Sequence, residues 1–286
     1  MPLPSMPSPV PGMGTMPNDF NLKRLTAHIH DICGIQIPPS KRNLLEGRLR
    51  KRMEALGLDG LEDYCRWVLT DDHLATETDL LINAVTTNKT DFFREPAHFD
   101  YLTNTVLPEL TAGRQRPLRI WSSACSTGAE PYTLAMVVDA FLKQHGGPDY
   151  GILATDIDTQ VLEVARQGIY SRDLIHPVPE ALRNRYVMNA IGQDSAKVRI
   201  VPELRSAIGF GQLNLIDNHY PVGDPMDVIF CRNVLIYFNK HTQVRVVSQL
   251  VDKLRPGGFI MLGHTESAAG TDPRLRYVAN TIFRKV

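Results

Sequence analysis

Apolar residues recur at helical spacing in the first third of the chain. Over residues 18–87 they fall three or four positions apart, as at Leu45, Leu49 and Met53, and turn residues such as Gly57 interrupt the series. Such spacing is typical of amphipathic helices and not of strands. We therefore predict a small all-helical domain of three or four short helices over this range.

A different pattern begins near residue 118 and continues to the end of the chain. Short apolar runs occupy 118–122, 152–155, 227–231 and 259–262. Helical stretches lie between them, for instance at 131–143 and 158–166. Strands that alternate with helices build a parallel sheet covered on both faces, so we predict an α/β domain over 118–286.

The alternation is interrupted between residues 171 and 212. Two β-type runs, 197–201 and 206–210, lie on either side of a turn that contains Pro202. Short runs joined in this way are typical of antiparallel strands. We expect a small antiparallel β insertion at about 171–212.

The first residues differ from everything that follows. Residues 1–17 hold six prolines, four methionines and no charged side chain. Such a composition neither sustains a helix nor fills a core, so we predict a disordered tail. Elsewhere no stretch approaches about 18 uninterrupted apolar residues, and the N-terminus lacks the features of a secretory signal. We expect no membrane insertion and a cytoplasmic location.

Composition limits the partners and the chemistry. With 286 residues, 43% of them apolar, the chain can form two domains with packed cores. Basic and acidic residues number 31 each, so no overall field attracts nucleic acid or anionic lipid, although 41–52 carries six basic residues and one acidic. The four cysteines show no zinc-ligand spacing and no nearby histidine pair, so we predict neither a metal site nor a disulfide framework.

The loops after the strands are where ligand-binding residues are expected, because parallel sheets bind ligands beyond the carboxyl ends of their strands. After the first predicted strand, residues 123–129 are small and lead into a helix with Glu130 in its first turn. Gly128 stands alone, so neither the GxGxxG pattern of dinucleotide binding nor a P-loop is formed. The Glu130 carboxylate suits an ammonium group rather than phosphate, although it would equally complement the helix dipole.

Two acids, Asp156 and Asp158, follow the second predicted strand. An acid at this point accepts hydrogen bonds from both ribose hydroxyls in nucleotide-binding folds. Asp158 can instead cap the following helix, so Asp156 is the better ribose candidate. A ribose-binding acid, a loop without phosphate chemistry and a carboxylate suited to ammonium together indicate S-adenosylmethionine rather than NAD or ATP.

Several motifs share their order and spacing with one known family. They read Thr-Asn-Lys-Thr-Asp-Phe-Phe-Arg-Glu at 87–95, Ser-Thr-Gly-Ala-Glu-Pro-Tyr at 126–132, Phe-Cys-Arg-Asn-Val-Leu-Ile-Tyr-Phe at 230–238, Leu-Arg-Pro-Gly-Gly at 254–258 and Gly-His-Thr-Glu-Ser at 263–267. In these motifs the chain resembles the chemotaxis receptor methyltransferases, the CheR family, from residue 19 to the end. Ala129 departs from the many relatives that have a second glutamate there.

The resemblance implies a fold and an activity. CheR proteins have a small helical N-terminal domain, a linker, here 88–117, and a Rossmann-like S-adenosylmethionine-dependent methyltransferase domain with a three-stranded insertion. They methylate glutamate side chains on the cytoplasmic helices of bacterial chemoreceptors, with S-adenosylhomocysteine as the other product. Some members use the insertion to dock on a peptide at the receptor C-terminus.

By matching motif positions, the resemblance also implies a set of cofactor-binding residues. They are Asn88, Thr90, Arg94, Glu130, Asp156, Asn214, Leu215, Arg232 and Asn233. Glu130 would meet the methionyl ammonium and Asp156 the ribose. Asn214 and Leu215 would flank the adenine.

Other residues would act on the acceptor. Arg94 and Tyr237 would lie nearest the transferred methyl, with Arg94 orienting the acceptor carboxylate. Arg48, Lys51 and Arg52 fall on one helical face at i, i+3 and i+4 spacing. Their charge is opposite to that of a glutamate-rich receptor helix, so we expect them to bind the receptor.

Two other functions would use some of the same features. A nucleic-acid methyltransferase would share the cofactor fold, but amino-methylating members carry an Asn/Asp-Pro-Pro-Tyr/Phe loop where this chain has Arg-Asn-Val-Leu at 232–235. A non-enzymatic module that senses S-adenosylmethionine would need a blocked acceptor channel, and the motifs around Arg94 and Tyr237 are complete. We expect His264, near the end of a strand, to have a structural role.

Overall fold

The computed structural model describes residues 20–190, 196–266 and 272–286. Its helices are α1 Phe20–Cys33, α2 Arg42–Leu56, α3 Leu61–Val68, α4 Asp71–Val85, α5 Ala97–Tyr101, α6 Leu107–Thr111, α7 Ala129–His145, α8 Thr159–Gln167, α9 Glu180–Tyr186, α10 Pro202–Ser206 and α11 Lys240–Lys253. Its strands are β1 Leu118–Ser122, β2 Tyr150–Asp156, β3 Ile169–Ser171, β4 Val187–Asn189, β5 Lys197–Ile200, β6 Ile208–Gln212, β7 Met226–Cys231, β8 Leu254–Leu262, β9 Leu275–Ala279 and β10 Ile282–Lys285. The tail predicted at 1–17 lies outside the described residues.

The first four helices pack into a domain of their own. Leu25 of α1, Leu49 of α2 and Tyr64 of α3 are buried in one apolar cluster. α2 ends at Gly57, whose φ of 67° is left-handed and whose amide donates to the carbonyl of Glu54. Glycine adopts this conformation without steric cost. The predicted all-helical N-terminal domain is confirmed.

The segment expected as a linker is helical over much of its length. A π turn at Leu102–Val106 joins α5 and α6 into one helical stretch. Phe99, Leu102 and Val106 are buried in the core of the sheet domain. This stretch therefore anchors the preceding residues, 88–96, beside the carboxyl ends of the parallel strands.

Seven strands form one sheet in the order β6-β2-β1-β7-β8-β10-β9. Neighbouring strands from β6 to β8 are parallel, whereas β10 is antiparallel to β8 and β9. The chain moves outward from β1 to β2 on one side and from β7 to β8 on the other, so the strand order reverses between β1 and β7. A ligand site is expected there, outside the carboxyl ends of the strands. The predicted parallel α/β domain is confirmed.

The small antiparallel sheet differs from the insertion expected at 171–212. It contains β3, β5 and β4 in that order, with β5 antiparallel to both neighbours. The expectation that 206–210 belongs to it was wrong, because β6 pairs parallel with β2 at the edge of the large sheet. Pro202 begins helix α10 rather than a tight turn, and this helix connects β5 to β6. The helical connection allows β6 to pair parallel with β2 instead of forming a hairpin with β5. Residues 191–195 of the expected insertion lie outside the described residues.

The cysteines and the helices bear on two further expectations. All four cysteines are buried free thiols. Burial raises the pKa of the Cys33 thiol to about 11, so it is protonated at neutral pH and poorly suited to nucleophilic chemistry. Within the described part of the chain, no helix combines the length and apolar character that a bilayer crossing requires.

Candidate active site

A cavity lies at the carboxyl ends of β1, β2, β6 and β7, and its volume of about 870 Å³ includes space that is open to solvent. Its walls come from the loops after those strands, from residues 86–94 and from the end of α1. Ten residues that the sequence predicted to be catalytic or cofactor-binding line it: Asn88, Thr90, Arg94, Glu130, Asp156, Asn214, Leu215, Arg232, Asn233 and Tyr237. The structure therefore brings these residues together, and their individual roles stay predictions.

The loop after β1 is fixed by hydrogen bonds on two sides. Ser126 and Gly128 have φ values of 49° and 93°. A Cβ on Gly128 would lie 2.8 Å from the Tyr170 hydroxyl, so glycine is required. The Ser126 amide donates to Oδ2 of Asp156 at 2.7 Å, and its hydroxyl donates to the carbonyl of Asn88 at 2.8 Å. The loop thus connects the end of β2 to the linker.

The two acids after β2 have different surroundings. Asp158 caps α8 through its Oδ1, and its Oδ2 accepts a hydrogen bond from Nδ2 of Asn88 at 2.7 Å. Asp156 lines the cavity and accepts the amides of Ser126 and Asp158. Burial raises the pKa of the Asp156 carboxyl above its ordinary value, and these amides only partly offset the rise. The capping role predicted for Asp158 is confirmed, and Asp156 is the acid that faces the cavity.

Arg232 is the buried centre of the site. Its side chain is 2% exposed, and it donates to Oε2 of Glu130 and to Oε2 of Glu95, each at 3.0 Å. It also donates to the carbonyl of Arg94. The guanidinium carbon lies 5.4 Å from the ring centroid of Phe99. Arg232 therefore joins the linker to α7 by charge-assisted hydrogen bonds, which are about twice as strong as neutral ones.

Glu130, in the first turn of α7, brings a carboxylate to the cavity wall. Its Oε1 accepts from the Ser122 hydroxyl at 2.7 Å. Burial raises the pKa of the Glu130 carboxyl above its ordinary value, while the Arg232 charge and the Ser122 hydrogen bond lower it by less. An additional cation near this carboxylate would favour the ionised form.

Glu95 was missed as a site residue by the sequence reasoning. Its Oε1 accepts from Nδ2 of Asn233 at 3.1 Å while its Oε2 pairs with Arg232. Burial acts to raise the pKa of the Glu95 carboxyl, but the Asn233 hydrogen bond and the Arg232 charge outweigh it, so the pKa lies below its ordinary value. Its position at the end of the 87–95 motif was the available signal. Its partners, Arg232 and Asn233, lie more than a hundred residues away in the sequence, so the sequence alone did not reveal the contacts.

Glu266 was also missed, and it shapes the loop after β7. This residue is 4% exposed and accepts the backbone amides of Asn233 at 2.9 Å, Leu235 at 2.7 Å and Gly263 at 2.7 Å. Burial raises the pKa of its carboxyl, and the three amides work against the rise. Glu266 thus positions the backbone on which Arg232 and Asn233 are presented.

Backbone strain is concentrated around the cavity. Five non-glycine residues in the described ranges have positive φ, and four of them are here: Phe93, Glu95, Ser126 and Asn233. A left-handed conformation costs a residue with a Cβ roughly 1–2 kcal/mol. Conformations of this kind persist where the surroundings fix them, and they cluster at functional sites.

The mouth of the cavity lies between the two domains. Tyr237 is in a 3₁₀ turn at Leu235–Tyr237, and its carbonyl accepts from the amide of Gln36 at 3.1 Å. A neighbouring groove, lined in part by Leu44 and Arg48 of α2, also reaches Tyr237. Arg94 donates to the carbonyl of Lys89 at 3.0 Å, which turns the linker back on itself.

The three basic residues expected to bind a receptor do not form one exposed set. Arg52 donates to both carboxylate oxygens of Glu77 at 2.8 and 2.7 Å, and Glu77 is 2% exposed. Arg48 donates to the Thr87 hydroxyl at 2.5 Å but still lines the groove. Lys51 is exposed. Helical spacing placed Arg52 beside the others without showing that a buried acid on α4 engages it, so we assign Arg52 a structural role.

Comparisons with known proteins cover nearly the whole chain. A family model described as the CheR methyltransferase, SAM binding domain, matches residues 88–283. A second model, the CheR methyltransferase, all-alpha domain, matches residues 21–86. The two models meet within the segment that forms one wall of the cavity.

Individual proteins show the same similarity. Chemotaxis protein methyltransferase 2 of Pseudomonas aeruginosa is 38% identical over 98% of this chain and 98% of its own length. The chemotaxis protein methyltransferase of Escherichia coli is 35% identical over 93% of this chain and 91% of its own. That of Borreliella burgdorferi is 34% identical over 96% of this chain and 100% of its own.

Proposed function

This chain belongs to the CheR methyltransferase family and is an S-adenosylmethionine-dependent methyltransferase, and on that basis we propose that it methylates glutamate side chains on the cytoplasmic helices of bacterial chemoreceptors. The product would be a glutamyl methyl ester, formed for adaptation in chemotaxis signalling. The observation that carries the proposal is one cavity that has acidic groups in its interior and Arg94 and Tyr237 among its walls. Acceptors on cytoplasmic domains also favour a cytoplasmic location for the enzyme.

The chemistry of the cavity fits S-adenosylmethionine. Glu130 and Asp156 offer carboxylates for an ammonium group and a ribose diol. Ile157, Leu213 and Leu215 line the wall near the end of β2 and supply apolar contacts for a purine. The carboxylates of Glu130 and Asp156 lie in a cavity that also contains Lys89, Arg94 and Arg232, so selectivity depends on where the acids are placed and not on a net charge. A carboxylate in the first turn of α7 suits the ammonium group of a sulfonium compound and would repel a nucleotide phosphate at that point.

The reaction asks little acid–base chemistry of the protein. When bound, the cofactor supplies a methyl group on a sulfonium, and a glutamate with an ordinary pKa near ~4.3 is already ionised at neutral pH. Arg94 orients the acceptor carboxylate through its forked guanidinium. Tyr237 closes the mouth beside it and helps to exclude water, which strengthens the electrostatic attraction between acceptor and donor. Alignment of the two reactants supplies most of the remaining acceleration.

A surface that leads to Tyr237 is suited to an acidic helix. Leu44, Arg48 and Lys51 fall on one face of α2 at i, i+4 and i+7 spacing. Leu44 is 49% exposed, and it lines the groove that reaches Tyr237 together with Lys41 and Arg48. An apolar side chain flanked by cations complements an amphipathic helix that carries glutamates. We assign this face to receptor binding, with Leu44 in place of Arg52.

The decisive experiment is a transfer assay with methyl-labelled S-adenosylmethionine and receptor cytoplasmic fragments. We expect label in the protein fraction that mild base releases as methanol, because esters hydrolyse under those conditions. Fragments with glutamine at the candidate acceptor positions are the matched control and should stay unlabelled. Base-stable label in protein or nucleic acid would contradict glutamyl ester formation. Cofactor binding without any transfer would instead favour a sensing module.

A receptor peptide is a further proposed partner, at the small antiparallel sheet. β4 is an edge strand of that sheet, and Met188 on it is 38% exposed. An edge strand offers main-chain donors and acceptors to an added strand. We expect a peptide from a receptor C-terminus to bind the isolated enzyme, and proline substitution at Asn189, where the register turns the amide away from β5, to weaken it by removing an amide donor. Unchanged peptide affinity in that variant would exclude this edge.

A further inference from the structure

Three potential metal ligands converge behind the linker, outside the cavity wall. Glu95, His98 and His264 each bring one ligand atom to a common point, and these atoms lie within 4.8 Å of one another. Nδ1 of His98 lies 3.6 Å from Oε2 of Glu95, and Nε2 of His264 lies 3.8 Å from the same oxygen. Ligands of a tetrahedral zinc ion are separated by roughly 3.3 Å, given bond lengths near 2.0–2.1 Å. Two of the three separations are within about 0.5 Å of this value and the third is at most 4.8 Å, so the cluster must contract to reach that geometry.

One hydrogen-bond arrangement of His98 presents a lone pair to the cluster. The Thr281 hydroxyl oxygen lies 2.8 Å from the carbonyl oxygen of Asn280 and 2.9 Å from Nε2 of His98, and when the hydroxyl donates to that carbonyl its oxygen accepts from Nε2. The proton of His98 is then on Nε2, and Nδ1 carries a lone pair. His98 is 1% exposed, and its Nδ1 has no hydrogen-bond partner among the described residues. A buried lone pair that faces a carboxylate is unfavourable unless a cation lies between them.

We infer that Glu95, His98 and His264 form a site for one divalent transition-metal ion of the zinc class. Two imidazoles and one carboxylate are a common ligand set for zinc, with water in the fourth position. The hydrogen bond from His98 to Thr281 is the contact to the second ring nitrogen that fixes a ligating imidazole. His264 is 47% exposed, so an ion and its water can enter from solvent.

The Arg232 charge next to the cluster limits its affinity. Arg232 donates a hydrogen bond to Oε2 of Glu95 at 3.0 Å. A carboxylate oxygen has two lone pairs, so the metal would use the one that Arg232 does not. Repulsion from the guanidinium makes this site weaker than a structural zinc site.

The site depends on a contact that sequence spacing does not reveal. Glu95 and His98 are three residues apart at the start of α5, whereas His264 follows β8. We expected a structural role for His264 and no metal from the sequence. The packing of the residues after β8 against the start of α5 brings the third ligand into place, with the two imidazole rings 5.3 Å apart and nearly perpendicular.

Titration of the full-length protein with ZnCl2 after chelator treatment tests the inference. We expect saturable binding of one ion per chain, and at least tenfold weaker binding in His264→Ala, which removes a half-exposed ligand. His241→Ala, at an exposed histidine on α11, is the matched control and should bind as the unchanged protein does. Circular dichroism of both variants establishes that each is folded.

CoCl2 provides an independent readout of the ligands. Cobalt at this site should give the visible absorption of a tetrahedral nitrogen and oxygen ligand set, and His264→Ala should lose it. Equal zinc affinity in His264→Ala and the unchanged protein would overturn the inference. Absence of stoichiometric binding would do the same, as would cobalt absorption typical of thiolate ligands.

Discussion

Two buried charge networks lie at opposite ends of the parallel sheet, and they have opposite composition. At the carboxyl end, one cation, Arg232, is held between two anions, Glu95 and Glu130. At the amino end, one anion, Asp227, is held among three arginines. Those arginines are Arg114, Arg116 and Arg255. The first network has an excess of negative charge and the second an excess of positive charge.

The difference shows how the two networks divide binding from stability. The Asp227 network joins the start of β7 to the last residues of the linker, just before β1, and to β8, and none of its four charged residues lines the cavity. The Arg232 network joins the sheet domain to the linker and lines the cavity. Removal of either central charge leaves buried partners unpaired. Only the Arg232 change should also alter the cofactor site.

The largest effect is expected for Arg232→Met. Two buried carboxylates would face each other without a cation, so the free energy of unfolding should fall by about 3–5 kcal/mol. The linker would lose its attachment to α7, and affinity for S-adenosylhomocysteine should fall at least tenfold. Urea denaturation and calorimetry measure the two quantities. An intact cofactor affinity in the folded variant would mean that Arg232 serves only stability, as Asp227 does.

Asp227→Asn should produce nearly the same loss of stability as Arg232→Met, but without a loss of cofactor affinity. We expect about 3 kcal/mol, at the lower end for a broken buried pair, because Arg116 is 49% exposed and can turn to water. Affinity for S-adenosylhomocysteine, measured below the unfolding range, should stay within about twofold of the unchanged protein. A tenfold loss there would show that the two ends of the sheet are coupled.

Glu130→Gln tests the role of one carboxylate charge inside the cavity. Glutamine keeps the size of the side chain but loses the charge that we assign to the ammonium group, so S-adenosylhomocysteine should bind roughly tenfold to hundredfold more weakly. Because the pKa of Glu130 lies above its ordinary value, acidification should protonate it early and weaken binding to the unchanged protein. The glutamine variant should lack that pH dependence. Equal pH profiles of the two proteins, measured by calorimetry, would remove Glu130 from the binding role.

The smallest effect is expected outside both networks, at Lys51→Glu. Exposed charge pairs contribute up to about 1 kcal/mol, so receptor methylation should slow by about threefold to fivefold at low salt, with unchanged cofactor affinity. Arg276→Glu, on the exposed edge strand β9, is the matched charge reversal and should have no effect. If both reversals slow methylation equally, net charge rather than the α2 face governs the encounter.

The sequence predicted the elements of the fold better than their partners. Buried parallel strands such as β1 and β7 are mostly apolar, so their positions could be read directly from the sequence. The sheet to which β6 belongs could not be read in this way, because the same short run fits either a strand of a hairpin or a parallel edge strand. Only the helix that starts at Pro202 decides between them.

The candidate site shows the same division between residue type and partner. All ten residues predicted to be catalytic or cofactor-binding line the cavity, since each follows a strand end or lies in the linker. The acids that hold the site in place, Glu95 and Glu266, were missed because their partners lie far away in sequence. Arg52 was assigned to the surface for the same reason, as its pairing with Glu77 depends on how α2 packs on α4.

The shared cavity wall has a practical consequence for inhibitor selectivity. Eight of the 22 lining residues precede β1, and they include Cys33 at the end of α1 and Ile35 just after it. A compound confined to the strand ends would meet chemistry that many enzymes using this cofactor offer. A compound extended toward Ile35 would contact a part of the wall that the helical domain provides and the sheet domain does not. The raised pKa of Cys33 makes shape complementarity, rather than a thiol-reactive group, the route to that discrimination.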